Sequence, residues 1–240
     1  MFSILAIGNS FSCDGTHYLH DIALSGNEHI KVFNACIGGC PLDKHYRNMK
    51  GDLKNYTLEV NGENTMIPVS LREVLSCNQW DAVTLQQLSH YAPRYETYQP
   101  YLNELAAFVR SFQPETKLYL QQTWAYEQGG KRLHEELGYA DHKDMYADLE
   151  KAYARAALEV NAGIIPSGKI FQSLIAANAG RVHRDGFHAS LGLGRYALAL
   201  GWYETLTGKS CIGLPFANLD VPVDFDMDKV QHIVHETVHG

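Results

Sequence analysis

The spacing of hydrophobic residues changes period repeatedly along the chain, and the changes mark alternating strands and helices. Residues 4–7 (Ile-Leu-Ala-Ile) are an unbroken apolar run stopped by Gly8 and Asn9, as expected of a strand buried on both faces of a parallel sheet. Residues 16–24 take helical spacing and end at Ser25-Gly26-Asn27, a helix stop signal. Residues 29–37 alternate like a strand and run into Gly38-Gly39, and 41–50 read as a short helix or structured loop. Two β-type runs flank Asn61-Gly62, a strong hairpin signal, so a small two-stranded insertion is expected over about 54–69. A helix over 70–76 opens with Ser70 and, three residues on, Glu73, the two side chains of a capping box.

The second half continues the alternation. A strand over 80–85 ends in Gln86-Gln87, an amphipathic helix over 96–112 is closed by Pro114, and a strand over 117–122 leads into Thr123-Trp124-Ala125-Tyr126. Residues 127–142 are polar and aperiodic, and read as a mobile loop bordering a site. A long helix over 143–161, a short strand over 163–166 and helices over 170–177, 193–206 and 226–238 complete the pattern. Strand and helix alternating in this way predict an α/β fold: three layers, α/β/α, around a doubly wound, mostly parallel sheet, in one domain over 1–240.

Composition narrows the function. Hydrophobic residues are 45% and charged residues 20% of the chain, ordinary for a globular protein. A net charge of −7 argues against a nucleic-acid partner held through its phosphates. No apolar run approaches the roughly 20 residues that span a bilayer, so no membrane partner is expected. The first apolar run lacks the basic start of a leader; the expectation is a cytoplasmic protein, or an exported one whose leader has been removed. The five cysteines (Cys13, Cys36, Cys40, Cys77 and Cys211) are odd in number and irregular in spacing, unlike a disulfide framework; Cys36-x-x-x-Cys40 has no second pair to complete a zinc site and reads as small buried hydrophobes.

Two stretches carry candidate chemistry. Ser10 follows the first strand, and the carboxyl ends of strands in an open α/β sheet border the ligand crevice. Near the other end stands Asp185-Gly186-Phe187-His188. A serine hydroxyl needs a base to become a nucleophile, imidazole titrates in the right range, and a carboxylate on the other ring nitrogen fixes its tautomer. Asp and His three residues apart supply both groups from one loop.

The order of these blocks resembles the SGNH (GDSL-like) hydrolase superfamily over nearly the whole chain. The similarity rests on Gly8-Asn9-Ser10-Phe11-Ser12, on Gly38-Gly39 after the second strand, on an amide pair after the third and on D-x-x-H before a late helix. The resemblance implies a flavodoxin-like SGNH fold and a serine esterase. Ser10 would be the nucleophile, His188 the base and Asp185 its orienting partner. The Ser10 N–H, the Gly39 or Gly38 N–H and a side-chain amide would form the oxyanion hole. The family's third block usually reads Gly-x-Asn-Asp, whereas this chain has Leu85-Gln86-Gln87-Leu88-Ser89. Gln86, with Gln87 as fallback, is expected to replace the asparagine. The substrate implied is a short acyl ester, acetyl groups on carbohydrates included, with no metal or organic cofactor.

Around this core, Trp124, Tyr126 and Tyr91 follow strand ends and are expected as an aromatic wall. His90 is a candidate substrate contact; Arg47 and Arg94 read more readily as solvated loop residues. His235-Glu236-Thr237-Val238-His239 matches the zinc-protease pattern H-E-x-x-H, with His232 on the same helical face. No chain follows to supply the usual third ligand, so no metal is expected there. A carbohydrate-binding relative without catalysis is the competing reading, since it would keep the aromatic wall and dispense with oxyanion donors.

Overall fold

The computed structural model describes all of residues 1–240. Its strands are β1 (Phe2–Gly8), β2 (Ile30–Cys36), β3 (Tyr56–Val60), β4 (Glu63–Val69), β5 (Ala82–Leu85), β6 (Lys117–Gln121) and β7 (Gly163–Ile165). They form one sheet in the order β4-β3-β2-β1-β5-β6-β7. Strands β1, β2, β5, β6 and β7 are parallel, and β3 and β4 join antiparallel. The chain leaves β1 in one direction to build β2, then crosses to β5 on its other side. This reversal opens a crevice at the carboxyl ends of the strands, and Ser10 is two residues past the end of β1.

The helices are α1 (Ser10–Thr16), α2 (Leu19–Ser25), α3 (Leu42–Gly51), α4 (Leu71–Ser76), α5 (Tyr101–Phe112), α6 (His142–Glu159), α7 (Ser167–Ala176), α8 (Leu193–Thr207) and α9 (Met227–His239). Helices α1, α2, α7, α8 and α9 pack among themselves, and α3, α4 and α5 form a second group. The apolar runs read from the sequence are the centre of the core: Ile4, Leu5, Ala6, Val83 and Leu85 are fully buried. The α4 capping box is formed, with the Ser70 hydroxyl accepting from the Glu73 N–H and the Glu73 carboxylate accepting from the Ser70 N–H.

Three expectations change. The first helix begins at Ser10, six residues before the helical spacing starts, and is broken before α2. Its residues are mostly polar, so hydrophobic period does not reveal it; Asn9 nucleates it, its side-chain oxygen accepting from Phe11 N–H and its carbonyl from Ser12 and Cys13 N–H. The hairpin extends the main sheet instead of standing apart, because β3 pairs with β2 in register from Phe33↔Val60 to Cys36↔Thr57. A bulge between Leu58 and Glu59 and the proline at 68 interrupt its outer strand. Residues 127–142 are built around a π-turn over Arg132–Glu136 with Leu133 fully buried, and Gln128 clamps the segment through Ala140 O and His142 N–H.

Helix α3 follows the Gly38-Gly39 turn and docks on β3 through His45, whose Nδ1 lies 2.9 Å from Tyr56 Oη. Burial drives the His45 pKa down to about 3, and Nε2 has no partner to accept a second proton. The unfolded chain takes up that proton near the ordinary imidazole value of about 6.5. The stability His45 confers as a neutral ring is therefore complete above that value and lost as pH falls toward 3. By pH 4 the linked cost is about 3 kcal/mol. Thermal melts from pH 7 to 4 should show a steep loss in the wild type and a shallower one in His45→Phe; parallel curves would reject the assignment.

Candidate active site

Asn9 organises the turn that presents Ser10. Its amide nitrogen donates to Cys40 O, just past the Gly38-Gly39 turn, at 3.1 Å. Its oxygen accepts from the Gln86 amide at 2.7 Å as well as from Phe11 N–H. One buried side chain thus ties together the ends of β1, β2 and β5. With Phe11, Ser12 and Cys13 N–H all bonded to Asn9, the Ser10 N–H is left without an acceptor at the first position of α1. The N–H groups of Gly38 and Gly39 also lack acceptors in the chain. Gly39 has φ +60°, a conformation that side chains with a Cβ disfavour.

The structure brings Ser10, His188 and Asp185 together. Ser10 Oγ lies 2.9 Å from His188 Nε2, and His188 Nδ1 lies 2.8 Å from Asp185 Oδ2. The other Asp185 oxygen accepts from the His188 and Phe187 N–H groups. This tight loop needs Gly186 at φ +91°. Burial opposes ionisation of Asp185, but the bonds from the His188 ring and backbone and from Phe187 N–H prevail and hold the carboxyl down at about 2. The carboxylate is therefore present throughout the neutral range to orient the ring. A serine, an imidazole and a carboxylate so arranged can pass a proton from hydroxyl to ring while the carboxylate stabilises the imidazolium.

Asp14, on α1 one turn beyond Ser10, fixes the two halves against each other. Its side chain is 1% exposed, and Arg184 Nη1 reaches both of its oxygens at 2.9 Å while Arg195 Nε reaches Oδ1 at 2.9 Å. The Ala189 N–H adds a fourth bond at 3.1 Å. Trp124 Nε1 donates to Phe187 O, and Glu127 N–H donates to Gly186 O. The His188 loop is thereby held on three sides. Sequence reasoning missed Asp14, Arg184 and Arg195; a charged residue inside a short polar helix, with partners some 170 positions away, leaves no local signal.

Ser10, Gly38, Gly39, His90, Phe187 and His188 share a cavity of about 490 Å³ with Phe11, Leu88, Ser89, Tyr126 and Arg132. A cleft of about 510 Å³ beside Arg110 and Lys117 has no such serine and imidazole in its lining. Neither expected glutamine faces the cavity. Gln86 commits its amide to Asn9, and Gln87 spends its own on Thr97 and its oxygen on Leu42 and Leu88 N–H. Both are buried braces between strand ends, and the residues of this block that line the cavity are Leu88, Ser89 and His90.

The aromatic wall also differs from expectation. Trp124 is fully buried beneath the site and stacks on Phe11, centroids 4.1 Å apart. Tyr91 stays outside the cavity lining, against Arg94. Tyr126 does line it, and its Oη lies 3.0 Å from Ser89 Oγ. Burial raises the Tyr126 pKa, so the phenol remains a hydrogen-bond donor. His90 is pushed toward the neutral form, first by burial and then by Arg94 and Arg132, against the pull of Glu136. Phe187 and Arg132, absent from the sequence-level candidates, complete the wall: the Arg132 guanidinium carbon sits 3.9 Å from the centre of the Phe187 ring.

Comparison with known proteins places this geometry in context. A search of curated sequences finds no match. Among solved structures, a DUF4886 protein from Bacteroides uniformis superposes with a TM-score of 0.90 at 29% identity, covering 99% of this chain and 95% of that one. A candidate SGNH hydrolase from Slackia heliotrinireducens gives 0.60 at 23% identity over 85% of this chain and 98% of its own. Axe2, an acetylxylan esterase from Geobacillus stearothermophilus, gives 0.55 at 15% identity over 88% and 95%. The architecture is that of the SGNH hydrolases, with seven strands of which five are parallel. The DUF4886 pattern, described as a domain of unknown function, matches residues 3–224, and the chain belongs to that family.

Proposed function

We propose that this protein is a serine esterase acting on short acyl esters, with carbohydrate acetyl esters as the class best suited to the pocket. The observation that carries the reading is the unbroken line of contacts Ser10–His188–Asp185, at 2.9 and 2.8 Å, opening on a cavity edged by free backbone N–H groups. Ser10 Oγ attacks the ester carbonyl carbon as His188 Nε2 takes its proton. The tetrahedral intermediate collapses, and the imidazolium returns that proton to the departing alcohol. Water, deprotonated by His188, then attacks the acyl-enzyme, releasing the acid and restoring Ser10.

The oxyanion is held by the Ser10 N–H and the Gly39 N–H, with Gly38 beside it. Ser89 takes the third place in this reading: it is among the cavity's lining residues, and its hydroxyl would donate to the oxyanion while accepting from Tyr126 Oη. A sugar alcohol suits the far wall, where the Arg132 guanidinium, seated over the Phe187 ring, offers N–H donors at the cavity edge. The competing carbohydrate-binding reading has lost support from two sides. Trp124 and Tyr91 do not line the cavity, and the serine and imidazole are in hydrogen-bond contact.

Ser10→Ala should lower turnover of p-nitrophenyl acetate by about 10⁴-fold or more and abolish labelling by a fluorophosphonate probe. A wild type without turnover or labelling would favour binding alone, and an active Ser10→Ala would remove the serine mechanism. Asp14→Asn should act at a distance. With Arg184 left without a carboxylate and Arg195 with Asp220 alone, it should cost about 3 kcal/mol in denaturant melts. It should also lower kcat more than it raises KM, because His188 loses its register against Ser10. An unchanged kcat in folded Asp14→Asn would show that the loop is held by other contacts.

A further inference from the structure

Asp14 and Glu204 are the chain's only buried acidic residues, and they are compensated in different ways. Asp14 has two arginines. Glu204, on α8, has a side chain with no exposure and no lysine or arginine within ion-pair distance. Its partners are the Cys211 N–H at 2.6 Å and two imidazoles from α9: His235 Nδ1 at 3.0 Å from Oε1 and His239 Nε2 at 3.0 Å from Oε2. Taking a carboxylate out of water is costly unless its surroundings compensate it.

The donor set is one that binds metal. His235 and His239 are four residues apart on α9 and so share a face of the helix. They are the two histidines of the H-E-x-x-H stretch. The third group comes from upstream, on α8, and not from the downstream chain where the zinc-protease pattern would place it. The ligand atoms of all three residues lie within 4.8 Å of one another. Around an ion bound at about 2.0–2.2 Å in a tetrahedron, ligands are separated by roughly 3.3–3.5 Å, so only small side-chain shifts are required. The imidazoles are 35% and 44% exposed, which leaves an entry path and room for water as the remaining ligand.

We propose that Glu204, His235 and His239 bind a divalent transition-metal ion of the zinc class, which clamps α9 onto α8. The site is structural. Glu236, the residue that would act as base in the protease pattern, lines a separate surface cleft with Lys229 and His232. Glu204 is also eleven residues along α8 from Leu193, about 17 Å at 1.5 Å per residue, on the helix that leads away from the His188 loop.

The test uses the full-length protein stripped with a chelator and dialysed, then titrated with Zn²⁺ by calorimetry and with Co²⁺ by visible absorption. Wild type should bind one ion per chain through these residues and gain thermal stability with Zn²⁺. His239→Ala, at an exposed position that folding tolerates, should weaken binding at least tenfold, as should Glu204→Gln. His232→Ala, whose ring caps Asp228 O on the same helix, should bind like the wild type. Absence of saturable binding up to millimolar metal would overturn the proposal. So would affinity unchanged in folded His239→Ala, since the ion would then sit elsewhere.

Discussion

The carboxylate of Asp14 is the constraint on which the site depends. Removing a charge from water costs several kcal/mol, and here three donors converge in four bonds to offset it: two guanidiniums and the Ala189 N–H, with Arg184 Nη1 meeting both oxygens. Arg184 also donates to Ala189 O, closing the base of the His188 loop on itself. Because Asp14 belongs to the same short helix as Ser10, satisfying its charge also sets the distance between Ser10 and His188. The energetic requirement of one buried group thereby becomes a geometric rule for two others.

A second hub works through neutral hydrogen bonds. Asn9 connects the ends of three adjacent strands and leaves the Ser10 N–H free. Gln86 completes that hub from β5, which is why its amide is unavailable to a substrate. Gln87 supports the start of α3 by accepting from Leu42 N–H. The glutamines therefore brace the turns around the cavity instead of facing into it.

Much of the fold was legible because it is carried by local period: the apolar runs of β1 and β5, the Asn61-Gly62 hairpin and the Ser70/Glu73 box each specify a conformation within a few residues. The grouping of Ser10 with Asp185 and His188 was legible because G-N-S-F and D-x-x-H are short local patterns. What stayed hidden depends on partners distant in sequence. Helix α1 is mostly polar and is stabilised by Asn9 below and Asp14 behind, so no hydrophobic spacing announces it. Trp124 looked like a pocket residue because it follows a strand end, yet its ring packs under Phe11 and its N–H secures Phe187 O. The π-turn over Arg132–Glu136 was obscured by its polarity, with Leu133 as the single buried anchor.

The antiparallel rim of the sheet has a bearing on how the molecule behaves among its own copies. An unpaired edge strand is a template for another chain, and β4 exposes Met66 and Ile67 there. Pro68 lacks the N–H a docking strand would need, the bulge beside Glu59 twists the ribbon, and Met66 departs from extended geometry at φ +59°. At the opposite rim β7 is three residues long, too short to seed a ladder. Both margins are thus poor surfaces for strand-to-strand growth, which favours a sheet that ends at seven strands over one that propagates between molecules.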